Sequence, residues 1–422
     1  MRHDRPLLQL IDQVSPASVP VDVGAAVAAG FERAGVHALV TPGDRVAITA
    51  GSRGIRDLPA VIRAAVAAVR KAGGDPFVAP CMGSHGGATA EGQRRVLEDL
   101  GVTEETVGAP VVSSMDVVQV GESALGVPVW AARDLAEADG IVVVNRVKPH
   151  TDFHGEVESG LVKMLVVGAG KHAGALSAHG LTVRHGFPAV LRDHGELLLA
   201  KLPVLCGIAL VEDRRETTAA LEVLRADEFF AREPELLERA YELLPRLPFD
   251  QLDVLVVDRM GKDVSGSGMD TNVVGRISFW GGGESPTKPR ITRIFVRGLT
   301  EASHGNAIGI GMADFTTERC LAAVDRRATS VNCLTANCPE DGRLPIAFAT
   351  DREAVAAALQ TAGIRDPDEV RLAWIRDTAH LERIAVSEAL LDEVRAGEAL
   401  RPAGPLFSLP YDEKGDLRSP FS

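Results

Sequence analysis

Aromatic side chains make up only 4% of the 422-residue chain, too few to build the stacked platforms on which single-stranded nucleic acid is bound. Cations are outnumbered as well: 45 Lys and Arg against 58 Asp and Glu leave a formal charge of −13. A surface of that sign is a poor partner for a phosphate backbone, so no nucleic-acid partner is expected. No run reaches the roughly 18–20 consecutive apolar residues of a membrane-spanning helix, and no membrane partner is expected either. The opening MRHDRPLLQLIDQVSPASVP carries early positive charge but no apolar stretch long enough for a secretory signal. Five irregularly spaced cysteines (Cys81, Cys206, Cys320, Cys333, Cys338) do not make a disulfide framework. They also fall short of a four-ligand iron–sulfur pattern, which leaves buried free thiols as the expected state. These absences point to a cytoplasmic protein.

What the sequence does contain is ordinary for a globular enzyme, with 45% hydrophobic and 24% charged residues. The 42 glycines and the Val- and Ala-rich runs suit an α/β protein with many tight turns. Short apolar runs alternate with amphipathic stretches of helical length. Arg45 to Gly51 reads as a buried strand, Leu58 to Gly73 as an Ala-rich helix, and DPFVAP as a second strand. A helix capped by Thr89 follows. Ile141 to Val147 is a buried strand by its β-branched run, Val204 to Val211 is another, and Thr217 to Leu244 reads as charged, periodic helix. PRLPFDQ (Pro245 to Gln251) marks a boundary, after which LDVLVVD restarts the rhythm. The expectation is an α/β fold of two domains, with largely parallel sheets flanked by helices. These are an N-terminal domain over residues 1–248, a C-terminal domain over 249–402, and a tail over 403–422.

Histidine is concentrated where chemistry would need it. Six of the 11 (His150, His154, His172, His179, His185, His194) fall within 45 residues, and imidazole is the side chain best suited to proton exchange near neutrality or to metal ligation. His85 lies among Gly83, Gly86 and Gly87 after a strand, where ligands of α/β sheets bind; a solvent-facing turn is the plainer reading. His150 follows Pro149 at the exit of another strand, beside Arg146 and Lys148, whose charge favours an anionic ligand. His154, four residues on, competes with it. Lys163 stands in the apolar segment ESGLVKMLVVGAGKH, where a desolvated amine becomes a nucleophile, although a snorkelling lysine would look the same. Arg53 or Arg56, after the first good strand, could grip a carboxylate. The loop Met260 to Asn272 has the glycine density of a ligand loop without a GxGxxG register, and GGATAEG after His85 lacks the GK[ST] of a phosphate loop.

Taken in order, Arg53, the loop around His85, Pro149-His150, Ser159-Gly160-Leu161-Val162-Lys163 and, sixteen residues beyond the lysine, His179 resemble the nickel-pincer-dependent lactate racemase family and its hydroxyacid racemase and epimerase homologues. The resemblance covers roughly residues 45–190. It implies that His85 and His150 are the acid/base pair and that Arg53, with Arg56 as a rival, holds the substrate carboxylate. It further implies that Lys163 carries a nickel pincer nucleotide covalently and that His179 ligates the nickel. The active site would then lie in the cleft between the domains, with a small hydroxyacid as substrate and cofactor-synthesis proteins as partners. The interval from His150 to Lys163 is longer than in lactate racemase itself, and His154 falls within it. A zinc-dependent hydrolase using the same histidines and a non-catalytic nickel-nucleotide binding protein are the rival expectations; no HExxH favours the first.

Overall fold

The computed structural model describes residues 6–14, 18–52, 55–278, 286 and 288–421. The chain forms two compact units. One comprises residues 17–150 and 154–244; the other comprises the chain from Pro245 onward, the N-terminal segment up to Pro16, and Thr151–Phe153. The first strand, β1 (Leu7–Gln13), therefore belongs with the C-terminal part of the chain.

In the N-terminal unit, β2 (Arg45–Ala50), β3 (Asp75–Pro80), β6 (Gly140–Arg146), β7 (Val204–Glu212) and β8 (Thr218–Arg225) form a sheet of order β3-β2-β6-β7-β8. A separate hairpin pairs β4 (Val117–Glu122) with β5 (Pro128–Ala132). The strands β3, β2, β6 and β7 run parallel. They are apolar along their length because helices cover their faces. Val46, Ile48 and Ala50 of β2 share a core with Val27 and Phe31 of the helix Val23–Arg33 and with Val61, Ile62, Ala65 and Val69 of the helix Leu58–Lys71. Thr89 caps the helix Ala90–Asp99 by accepting from Gly92 N.

The reading of Thr217 to Leu244 as helix needs correction. Thr218–Arg225 is a strand paired antiparallel with β7; a 3-10 turn at Ala226–Glu228 follows, and α-helix runs only from Phe229 to Leu243. Asp213 Oδ1 accepts from the backbone N–H of Arg215 and Thr217 and so closes the turn between the strands. Pairing along β7 outweighs the local helical pattern of TAALEVLR, since propensity is a weak prior against a sheet edge.

The second unit is built on a nine-stranded sheet. Its strands beyond the boundary are β9 (Gln251–Val257), β10 (Arg290–Val296), β11 (Phe315–Thr317), β12 (Ile346–Phe348), β13 (Leu372–Ile375), β14 (Arg383–Ser387), β15 (Leu400–Pro402) and β16 (Phe407–Ser408), and the order is β12-β11-β10-β9-β13-β14-β1-β15 with β16 also on β1. Parallel pairing runs from β12 to β13, and the pairings of β14 and β1 are antiparallel. The chain is thus α/β in both units, with largely parallel sheets flanked by helices. The last residues pack back on the second unit: β16 joins β1, and Leu417 is buried in the core of Trp374 and Phe295. Among the described residues no helix is long and apolar enough to cross a membrane.

Candidate active site

The carboxyl ends of β2, β3 and β6 gather the residues of interest in the N-terminal unit. After β2 comes Gly51-Ser52; Arg53, the first candidate for carboxylate binding, lies outside the described residues. Ser52 Oγ sits 2.6 Å from His85 Nδ1 in the loop after β3, which brings the first two strand exits together. His85 itself is exposed, as a residue meeting a ligand from the strand end should be. Its loop needs glycine for reasons of space as well as conformation. Gly83 and Gly86 both have positive φ, and a Cβ on Gly86 would lie 2.6 Å from Gln93 N. Gln93, fully buried, donates from Nε2 to Gly83 O at 2.9 Å and to His85 O at 3.4 Å.

Behind Gln93 stands Lys171, which is 2% exposed. Its ammonium donates to Gln93 Oε1 at 3.1 Å and to the carbonyl of Pro80. Burial pulls its pKa down. It braces the histidine loop from below and is not presented to solvent.

Lys163 reaches the same edge from a different element. The segment Leu161–Lys163 is a turn of α-helix, Met164–Ala169 is π-helical, and Lys171–His185 is α-helical. Single π turns recur at functional sites because they re-aim the side chains around them. The start of this run is fixed at two points. Asn145 of β6 donates from Nδ2 to Gly160 O at 2.7 Å. Glu233, wholly buried, accepts from Leu161 N at 2.7 Å and Val162 N at 3.2 Å. Gly160 is required here because a Cβ would collide with the Glu233 carboxyl. Desolvation drives that carboxyl up to about 7 against the two backbone donors that favour ionisation.

His179 lies on the helix that follows. Burial, with a smaller contribution from the nearby Lys163 charge, lowers its pKa to about 4 and keeps the ring neutral. The Phe187 ring packs edge-on against it at 5.4 Å, and the same ring lies 5.9 Å from His150. His179 and His150 are therefore neighbours joined through Phe187, and Lys163 lies close enough to His179 for its charge to act on the ring.

The loop carrying His150 is closed by a backbone bridge between Lys148 and Ser159. Its hub is Glu158, 1% exposed, which accepts from His150 N at 2.6 Å through Oε2 and from Gly155 N at 3.1 Å through Oε1. Tyr241 donates to the same Oε1 at 2.9 Å, and its hydroxyl stands 2.7 Å from His154 Nδ1.

Other expectations fare differently. Arg146 pairs with Glu212, whose side chain is 3% exposed. Glu212 also accepts from Arg56 N at 2.8 Å, and the Arg56 guanidinium reaches the carbonyl of Arg215 at 3.4 Å, on the turn after β7. The five cysteines are buried free thiols; burial pushes Cys81 up to about 11. In the second unit, Lys262 of the glycine-rich loop donates to Asn332 Oδ1 at 2.7 Å at the edge of a surface cleft of about 500 Å³ that also holds Asn306 and Arg327. Sequence reasoning passed over Ser52, Gln93, Glu158, Phe187, Glu233 and Tyr241. Two of them left a usable signal: Ser52 stands between the glycines of the first strand exit, and Glu158 follows His154 by four residues.

The family described as "Domain of unknown function (DUF362)" matches residues 51–231, the stretch that holds His85, His150, Lys163 and His179. No curated protein matches the chain. Among solved structures, the lactate racemase apoprotein from Thermoanaerobacterium thermosaccharolyticum aligns with a TM-score of 0.52 and 10% identity, over 88% of this chain and 98% of that one. The likeness is one of fold and indicates a distant structural relationship.

Proposed function

We propose that the protein is an isomerase that inverts the carbinol centre of a 2-hydroxyacid, using a nickel pincer nucleotide held by Lys163 and His179. The observation that carries the proposal is the packing of His179 and His150 on Phe187, with the Lys163 charge close to His179, in a chain whose fold is like that of a lactate racemase apoprotein.

The residues fit such a group. His179 is held neutral by burial, the state in which imidazole ligates a metal. Among the described residues no three His, Cys, Asp or Glu side chains gather as a metal-holding group, so a metal at His179 must bring its other donors with it. A nucleotide that chelates nickel does so. Lys163 is half-buried on a helical run anchored by Asn145 and Glu233, a fixed position for an amine that forms a covalent link.

The α-hydrogen beside a carboxylate is a very weak acid, and the bound cofactor supplies the hydride acceptor that avoids drawing it off as a proton. The chain's own residues then have three tasks. An arginine, Arg53 or Arg56, holds the carboxylate. His85 and His150 exchange the hydroxyl proton, one as base and the other as acid in each direction, because the two enantiomers point their hydroxyls differently. Phe187 and the closed loop around Glu158 keep the His150 side of the site fixed. The protein produced together with the cofactor-making enzymes, given one enantiomer of short and polyhydroxy 2-hydroxyacids, is expected to yield the other by chiral chromatography. Failure to exchange the configuration of any of them would refute the proposal.

A further inference from the structure

His154 is held in one tautomer by a chain of hydrogen bonds whose direction is set by proton count. Glu158 accepts from the backbone N–H of His150 and Gly155, donors that suit a carboxylate, and Tyr241 gives it a third, at 2.9 Å. A phenol has one proton to give. With that proton on Glu158, the Tyr241 oxygen can only accept from His154 Nδ1, 2.7 Å away. The direct approach of His154 Nδ1 to Glu158 Oε1, 3.4 Å, asks for the same proton. When the ring is neutral its proton is therefore on Nδ1, and Nε2 carries the lone pair. That Nε2 is buried and has no hydrogen-bond partner among the described residues.

A buried acceptor with no donor is costly unless something supplies the donor. Orienting an imidazole through its other nitrogen, by a hydroxyl and a carboxylate behind it, is how a histidine is prepared to meet a ligand. The donors that a hydroxyacid offers to such an acceptor are its hydroxyls, so under the proposed reaction the group that meets His154 is a hydroxyl.

We infer that His154 Nε2 accepts the hydrogen of a ligand hydroxyl other than the one at C2, that Tyr241 and Glu158 are its positioning residues, and that the substrate is a 2-hydroxyacid bearing a further hydroxyl. The choice of substrate rests on the proposed reaction, in which His85 and His150 already serve the C2 hydroxyl; the tautomer and the acceptor role do not. Glu158 ties the two histidines together, since it holds the His150 backbone with one oxygen and the Tyr241–His154 chain with the other.

The test is nitrogen NMR of histidine-labelled protein, with the His154 signals assigned by their loss in His154→Gln. The wild type is expected to show a protonated Nδ1 and a bare Nε2, and Tyr241→Phe and Glu158→Gln to lose that fixed state. DL-glycerate and DL-lactate, which differ by one hydroxyl, are then added in turn. Glycerate should shift the Nε2 resonance and lactate should leave it in place. In the cofactor-loaded enzyme, the preference in kcat/KM for glycerate over lactate should fall at least about tenfold in Tyr241→Phe, a modest share of what a site built around one hydroxyl can discriminate. A protonated Nε2 in the wild type, an unchanged tautomer in both positioning variants, or equal responses to the two acids would overturn the inference. If the tautomer and the glycerate response hold while no hydroxyacid is turned over, the proposed reaction fails and the acceptor role of His154 stands.

Discussion

Glu233 offers the sharpest stability test, because a buried carboxyl cannot ionise without a cost that pH exposes. Its folded pKa is about 7 against an ordinary 4.5, so between those values the folded protein keeps a proton that the unfolded chain has released. Stability from this group is full below about pH 4.5 and is lost as pH rises through about 7. At 1.36 kcal/mol per pK unit, the loss is roughly 3 kcal/mol. Glu233→Gln preserves shape and leaves a carbonyl oxygen to accept from Leu161 N and Val162 N, but it cannot ionise. The other titrating groups are common to both proteins and cancel in the comparison. Thermal unfolding across the pH range should therefore show the variant gaining on the wild type from pH 4.5 to 8. With about 2–4 °C per kcal/mol for a unit of roughly 150–250 residues, the gain is on the order of 6–12 °C. Parallel curves for the two proteins would mean that Glu233 is ionised in the fold and that the reasoning from its burial is wrong.

The remaining predictions concern the site. His179→Ala should lower nickel content sharply while apoprotein melting stays near wild type; unchanged nickel stoichiometry would assign the ligand elsewhere. Lys163→Ala should abolish an adduct surviving denaturation, as read by intact mass. Lys171→Ala should keep the adduct, because Lys171 is 2% exposed and committed to Pro80 and Gln93; the reverse pattern would move the attachment to Lys171. His85→Ala and His150→Ala should each lose racemisation by about 10²–10⁴-fold, the usual contribution of one positioned acid or base. In single turnovers each should still oxidise the one enantiomer that faces its remaining histidine, and wild-type rates in both would end the two-histidine scheme.

Much of the architecture was legible because the parallel strands are buried on both faces and so read as continuous apolar runs. RVAITA and DPFVAP are strands where they were expected, and the apolar run in GIVVVNR shifts by a single residue, to Gly140–Arg146. What escaped was pairing between distant segments. LLQLIDQ is too short to announce that it will lie against Arg383–Ser387, and TAALEVLR becomes a strand only because β7 has an open edge. The site divides in the same way. His85, His150 and Lys163 follow strands or stand in a helix's first turn, His179 lies in mid-helix, and all four stand out by residue type. Phe187, Tyr241 and Glu233 act through contacts made across 8 to 87 residues of chain. Nothing local marks them: Tyr241 sits inside an ordinary charged helix, and Glu233 is one acid among many there. The Glu212 partner of Arg146 was not legible for the same reason, since it comes from a neighbouring strand.

Label transfer tests the central claim most directly. One enantiomer of a 2-hydroxyacid carrying deuterium at C2 is given to the cofactor-loaded enzyme in ordinary water, and the opposite enantiomer is isolated by chiral chromatography and weighed by mass spectrometry. Inversion with hydride returned to the same carbon predicts that the product keeps its deuterium, and that Lys163→Ala forms no product. Inversion with the deuterium lost to water, or no inversion by enzyme whose Lys163 peptide carries the adduct, would contradict the account.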